Sequence, residues 1–171
     1  MAEALVIMLD PAAADAIDAL RSRLSKRAVP RLAFLPHLPP HVSLAVADRL
    51  VLPDPSLAEQ IASQRLEVRL ETLGTFAGSE GVLMCGVTVT GALLEVHAAV
   101  HTAIAGDGGG PHGHYRPGRW VPHCTVAIGL DHEELEAAVA AANPFDAICA
   151  QASNVEIVDT MTGEIVPRRI A

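Results

Sequence analysis

Apolar positions recur along this chain with two periods, and they predict strands and helices in a repeated order. Ala4 to Leu9 is an unbroken apolar run of the length of a buried strand. Asp10-Pro11 then supplies a cap and a first-turn proline, and Ile17, Leu20 and Leu24 at helical spacing predict an amphipathic helix to about Arg27. The segment from Pro30 to Pro40 holds four prolines and reads as an extended loop, leading into a strand over 41–47. Asp54-Pro55-Ser56 repeats the cap-and-proline signature and opens a short helix to about Ser63. Leu66, Val68 and Leu70 alternate with Glu67, Arg69 and Glu71, which predicts a half-buried strand to about Phe76. Gly78 to Gly81 is a turn, 82–90 a further strand, and 91–105 a helix carrying Leu94, Val96, Val100 and Ile104. A glycine-rich loop from Gly106 to Gly118 leads to another strand. Asp131 caps a helix through Glu133, Leu135 and Val139, 148–158 is a long strand, and 164–166 a short one.

One heptapeptide organises this order. Pro40-His41-Val42-Ser43-Leu44-Ala45-Val46 returns as Pro122-His123-Cys124-Thr125-Val126-Ala127-Ile128, 82 positions later (123 − 41). Side chains alternate faces along a strand, so His41 and Ser43 point one way and Val42, Leu44 and Val46 the other. The same alternation sets His123 and Thr125 against Cys124, Val126 and Ile128. Sliding the whole chain by 82 superposes strand on strand and helix on helix, as β-α-β-α-β twice. The expected architecture is therefore one domain, 1–171, of two pseudo-symmetric lobes at about 4–77 and 82–159, with the two motifs facing each other across a cleft.

Two imidazoles in one cleft can divide the work of acid and base, since an unperturbed His titrates near pH 6.5. Two hydroxyls beside them can donate to phosphoryl oxygens. Charge narrows the substrate. The net charge is −8, which argues against a wide basic surface for long nucleic acid and leaves a small nucleotide or an RNA end. Half the residues are hydrophobic but only 3% are aromatic, so Ala, Val, Leu and Ile must build the core. Cys85, Cys124 and Cys149 are scattered with no Cys-x-x-Cys, which predicts reduced thiols in a cytoplasmic setting, with Cys124 and Cys149 buried as small apolar residues. The first ten residues lack a basic region and read as a strand rather than a signal peptide, and no apolar run is long enough for a membrane span. A monomer is expected.

His41-Val42-Ser43-Leu44 and His123-Cys124-Thr125-Val126 resemble the paired His-x-[Ser/Thr]-aliphatic motifs of the two-histidine (2H) phosphoesterases, which include 2′-5′ RNA ligases and cyclic nucleotide phosphodiesterases. The resemblance in element order covers nearly the full chain. It implies an α+β fold, duplicated and bilobal, with two mainly antiparallel sheets about a central cleft. It also implies cofactor-free, metal-independent chemistry on a phosphodiester, typically a 2′,3′-cyclic phosphate. His41 and His123 would be the acid and base in an order left open, and Ser43 and Thr125 would hold the phosphoryl oxygens. Some relatives carry an Arg shortly after the second motif, where this chain has Ala127-Ile128-Gly129-Leu130; with the acidic balance, that favours a small cyclic phosphate over RNA ligation. A 2′-5′ RNA ligase-like enzyme acting on RNA ends is the alternative, and a nucleotide-binding module without turnover is a third reading.

Other residues have two readings each. Arg116 or Arg119 can bring positive charge near the site, and Tyr115 or Trp120 can stack a base, although Trp120 is equally a packing residue between the lobes. The cluster Arg21, Arg23, Lys26 and Arg27 reads as a solvated helix end, and His37 as a loop residue. His97 and His101, four apart on a helix, with His112 and His114 beyond, have a spacing that can bind zinc, but no His-Glu-x-x-His accompanies them and no metal is expected. The glycines at 108–110 lack the Gly-Lys-[Ser/Thr] of a phosphate loop and read as a flexible lid or a disordered loop.

Overall fold

A computed structural model describes residues 2–30, 39–51, 56–78, 81–104 and 112–167 of the chain. His37, the Asp54-Pro55 cap and the glycines at 108–110 lie outside them. The elements come in the expected order: β1 (Glu3–Leu9), α1 (Pro11–Arg27), β2 (His41–Ala47), α2 (Ser56–Ser63), β3 (Glu67–Gly74), β4 (Gly81–Val87), α3 (Gly91–Ile104), β5 (His123–Leu130), α4 (His132–Ala142) and β6 (Ile148–Asp159). Asp10 caps α1 as its sequence demands, accepting the Ala13 N–H at 3.1 Å. Its second oxygen accepts the Gln151 N–H, so the start of α1 is tied to β6. These N–H donors, that of Gln151 first, hold the Asp10 carboxyl below the usual range. Asp131 caps α4 in a reciprocal box with Glu134.

The strands form one six-stranded sheet in the order β2-β1-β6-β3-β4-β5, with every pairing antiparallel. This corrects the expectation of two sheets. The reason is the length of β6: its residues 152–159 pair with β1, while 148–151 pair with β3, so one 12-residue strand joins both wings. Centrally, Val68 stands opposite Ala150. The first strand of the second half also departs from a uniform offset, since β4 ends at Val87 rather than near residue 90. Thr90 instead caps α3, its Oγ1 accepting the Leu93 N–H at 3.2 Å. The expected short strand near the end of the chain is a single bridge, Val158 to Ile165.

The registers of the two motif strands correspond. Val42 pairs with Ile7 and Ser43 with Val6, and Cys124 pairs with Cys85 and Thr125 with Met84. Just past each hydroxyl residue the register slips, between Leu5 and Val6 in one ladder and between Leu83 and Met84 in the other. An extra residue in a strand inverts the alternation beyond it. Val46 and Ile128, expected on the core side with Leu44 and Val126, are therefore turned to the other face, and Ala45 and Ala127 take their places in the main core.

That core lies on one face of the sheet. Leu5, Ile7, Val42, Leu44, Val68, Leu83 and Ile157 meet Ile17, Leu20 and Leu24 of α1, Leu93, Val96 and Val100 of α3, and Ala138 of α4. Among the described residues, no Phe, Tyr or Trp is fully buried in it, in line with the low aromatic content. On the opposite face Ala4, Val6, Val46 and Val158 make a small second cluster, covered by Tyr115 and Met8. Among the described residues no helix is long and apolar enough to cross a membrane.

Candidate active site

His41 and His123 are the first residues of β2 and β5, where the strands emerge from proline-containing loops. Each ring is fixed by its own backbone. His41 Nδ1 lies 2.6 Å from the carbonyl oxygen of Pro39, and His123 Nδ1 lies 2.7 Å from that of Val121. A carbonyl oxygen can only accept, so Nδ1 carries the hydrogen in both rings and the lone pair of the neutral ring falls on Nε2. The two imidazoles thus have the same tautomer by the same device.

Both rings line one cavity of about 350 Å³ with Ser43, Thr125, Arg21, Tyr115 and His112, its apolar wall supplied by Val46, Ile128 and Val158. Burial holds both imidazoles below the ordinary histidine value; it is the largest influence on each, opposed by the carbonyl bond at Nδ1. Positive charge on Arg21 and on His123 lowers His41 further, which places these groups within electrostatic reach of one another. A second pocket of about 600 Å³ adjoins the first and shares His123, Thr125, Tyr115 and Ile128 with it. Phe76, Arg119, Trp120, Val121 and His114 also line it. Phe76 packs its ring edge-on against His123, with centroids 4.9 Å apart.

The structure brings His41, Ser43, His123 and Thr125 together, as the motif pairing predicts. Tyr115 borders both pockets and Arg119 and Trp120 the second, whereas Arg116 is exposed and borders neither. Trp120 also has the packing role. Its ring stacks on His97 at 4.0 Å and 3°, its Nε1–H donates to the Ser43 carbonyl at 3.0 Å, and it packs against the main core.

The zinc reading of His97 and His101 does not fit their surroundings. His97 is buried and its Nε2 bonds the Tyr115 carbonyl at 2.8 Å, while His101 Nε2 bonds the Leu44 carbonyl at 3.2 Å. Both nitrogens must be the protonated donors there, so neither offers Nε2 to a metal. Among the described residues no group of three or more His, Cys, Asp or Glu side chains is placed to hold a metal ion.

Two site residues escape the sequence. Phe76 follows a strand end and carries no motif. Arg21 looks like part of a solvated helix end, yet its side chain is only 13% exposed and its Nη2 donates to the Thr125 carbonyl at 2.9 Å. Arg23 likewise reaches across the molecule, donating to the Ala142 carbonyl at 2.7 Å. The family profile described as the 2′-5′ RNA ligase superfamily matches residues 7–164, a span that contains both motifs and every element from β2 to β6. No curated protein matches the chain at a significant level.

Proposed function

The chain belongs to the 2′-5′ RNA ligase superfamily, which is the two-histidine phosphoesterase superfamily, and from that membership we propose that it hydrolyses a small cyclic phosphodiester, a 2′,3′-cyclic nucleotide or a relative, without a metal ion. The observation that carries this reading is the pair of tautomer-fixed imidazoles, each next but one to a hydroxyl, lining a single cavity.

In the reaction, a water oxygen attacks phosphorus and one ribose oxygen leaves. One neutral imidazole takes the water proton on Nε2. The other, entering protonated, gives its Nε2 proton to the leaving oxygen as the P–O bond breaks, so the ring opens to a phosphomonoester and a free hydroxyl. The two rings end with their protonation states exchanged, and solvent restores them. Burial favours two neutral rings; an entering phosphate anion favours protonation of one of them, which prepares the acid. Ser43 and Thr125 donate to the non-bridging oxygens, where charge accumulates in the transition state.

The corresponding registers of β2 on β1 and β5 on β4, with a slip just past each hydroxyl residue, support reading the chain as two copies of one lobe. The antiparallel pairing of β3 with β6 around Val68 and Ala150 is what a twofold relation between those copies requires, because these residues lie 82 apart, the same separation as His41 and His123.

The adjoining pocket favours one second reading. Its cationic Arg119 and its aromatic Phe76 and Trp120 give room for a nucleoside beyond the phosphate, as an RNA end would present.

The deciding experiment is hydrolysis of a panel of 2′,3′-cyclic nucleotides in the presence of a chelator, by wild type, His41→Ala and His123→Ala, with separation of 2′- and 3′-phosphate products. Turnover that survives the chelator and is lost in both variants is expected. Salt-sensitive turnover confined to oligonucleotides moves the assignment to RNA ends. Phosphate binding without turnover of any diester leaves a binding module, and activity indifferent to both substitutions overturns the site.

A further inference from the structure

The cavity that holds the two histidines needs a standing positive charge for an anionic substrate, and its imidazoles do not supply one while burial keeps them neutral. His112, the third imidazole on the wall, lies 3.4 Å from the carboxylate of Asp48. Among the described residues lining this cavity, the only Lys or Arg is Arg21, and a guanidinium is charged at every working pH. The strand after the second histidine presents Ile128 to the cavity and no cation.

Arg21 is built into place rather than free to sweep the surface. Ile17, Leu20 and Leu24 fix the core-facing side of α1, and Arg21 stands at the border of that side, next to β5. Its stem is buried and two of its fork nitrogens are anchored as follows. Nη2 donates to the backbone oxygen of Thr125, the residue whose side chain faces the same cavity, and Nη1 to Asp18 at 3.1 Å. The Asp18 carboxyl is 59% exposed, so solvent screens this ion pair. Thus α1, an element of the first half, delivers its cation to the motif strand of the second half.

We propose that Arg21 binds a non-bridging oxygen of the phosphodiester and stabilises the charge that grows there in the transition state, which makes it a fifth member of the site with His41, Ser43, His123 and Thr125. This role rests on the phosphodiesterase reading above and gives that site its anion selectivity from outside either motif. A diester carries one negative charge and one guanidinium balances it.

The test uses the full chain and inorganic phosphate as the probe. In wild type, the assigned Nε–Hε resonance of Arg21 is followed by NMR as phosphate is added, and it is expected to shift to saturation together with those of the two imidazoles. In Arg21→Ala, the phosphate Kd is expected to weaken by about tenfold or more, as for loss of a charged hydrogen-bond partner. Millimolar guanidinium chloride should restore part of kcat on a cyclic nucleotide, whereas urea at the same concentration should not. A purely structural anchor for β5 would not respond to the free cation.

An unmoved Arg21 resonance while the imidazoles shift overturns the role and leaves the phosphodiesterase reading standing, and it does so even where Arg21→Ala fails to fold. A folded Arg21→Ala with wild-type phosphate affinity does the same. Wild type that neither binds phosphate nor turns over any diester defeats the phosphodiesterase reading, and the role of Arg21 with it.

Discussion

The indole Nε1–H of Trp120 donates to the carbonyl oxygen of Ser43 at 3.0 Å, so the segment leading into the second histidine is bonded directly to the strand of the first. The bond crosses 77 residues of sequence and lies within three residues of His123 and two of His41. It sets the two halves of the site relative to each other. Trp120→Phe keeps a flat ring to stack on His97 but removes the donor from a part-buried carbonyl, at a cost of about 1–3 kcal/mol. Chemical denaturation should show that loss, and kcat should fall several-fold because Ser43 and His41 lose a brace.

His41→Ala and His123→Ala should each lower kcat on a cyclic phosphodiester by at least about 100-fold, the lower end of what a positioned acid or base contributes. Because the two act as a unit, the double variant should be at most about tenfold slower than the worse single one. Steady-state kinetics on the three proteins checks both statements. Losses that multiply in the double variant would mean that the rings act independently, and the paired mechanism fails.

Burial lowers His41, His123, His97 and His101 below their unfolded value near 6.5. A lowered imidazole means that the unfolded chain binds more protons, so stability rises with pH through that range. The contribution is fully present above about pH 6.5, and it is lost as the pH falls through the folded values. Thermal unfolding from pH 8 to pH 5 should therefore show a midpoint that falls on the acid side. For catalysis, one ring must be protonated and the other not, so kcat/KM should follow a bell whose centre lies on the acid side of about 6.5 and whose limbs belong to the pair. An optimum above pH 8 would contradict two buried imidazoles.

Which parts of this molecule were legible in its letters follows from how far apart the interacting residues stand. The strands and helices are encoded within windows of a few residues, and the repeated Pro-His-x-[Ser/Thr] segments fixed the cavity because each His is held by a carbonyl only two residues away. In sequence Arg21 reads as a solvated residue, because the Thr125 carbonyl it meets is 104 residues distant and nothing local distinguishes it from Lys26 or Arg27. Val46 and Ile128 read as core-facing in sequence, because a strand slip leaves no mark in an aliphatic run. The joining of two expected sheets into one depends on where β6 changes partner, which its alternation does not specify.

The cysteines differ in a way that a thiol reagent can read. Cys85 and Cys124 stand opposite each other on β4 and β5 and are buried, and burial pushes their thiols up to about 12 and about 11. Cys149, expected to be buried, is exposed. At pH 8 the native protein should expose one rapidly reacting thiol to a disulfide reagent, and denaturant should release the other two. Cys149→Ser should abolish the fast phase without changing turnover.

Gly81 and Gly86 both lie on β4, yet they should tolerate Ala very differently. A Cβ at Gly81 would run into the backbone carbonyl oxygen of Leu130, its ladder partner on β5, with the Leu130 carbonyl carbon at 2.9 Å. Backbone cannot rotate away, so Gly81→Ala must push the end of β5 off β4, in the strand that carries His123 and Thr125. At Gly86 the obstruction is the hydroxyl of Thr72, a side chain that can change rotamer. Gly81→Ala should therefore cost about 2–4 kcal/mol, in the range of overpacking and a broken ladder bond, and Gly86→Ala should cost about 1 kcal/mol or less once Thr72 turns. Equilibrium unfolding of the two variants gives the order directly. Because Gly86 is the ladder partner of His123, its variant should also be compared in kcat: a small stability loss with a large loss of turnover would locate the tolerance limit of the site at the histidine rather than at the strand end.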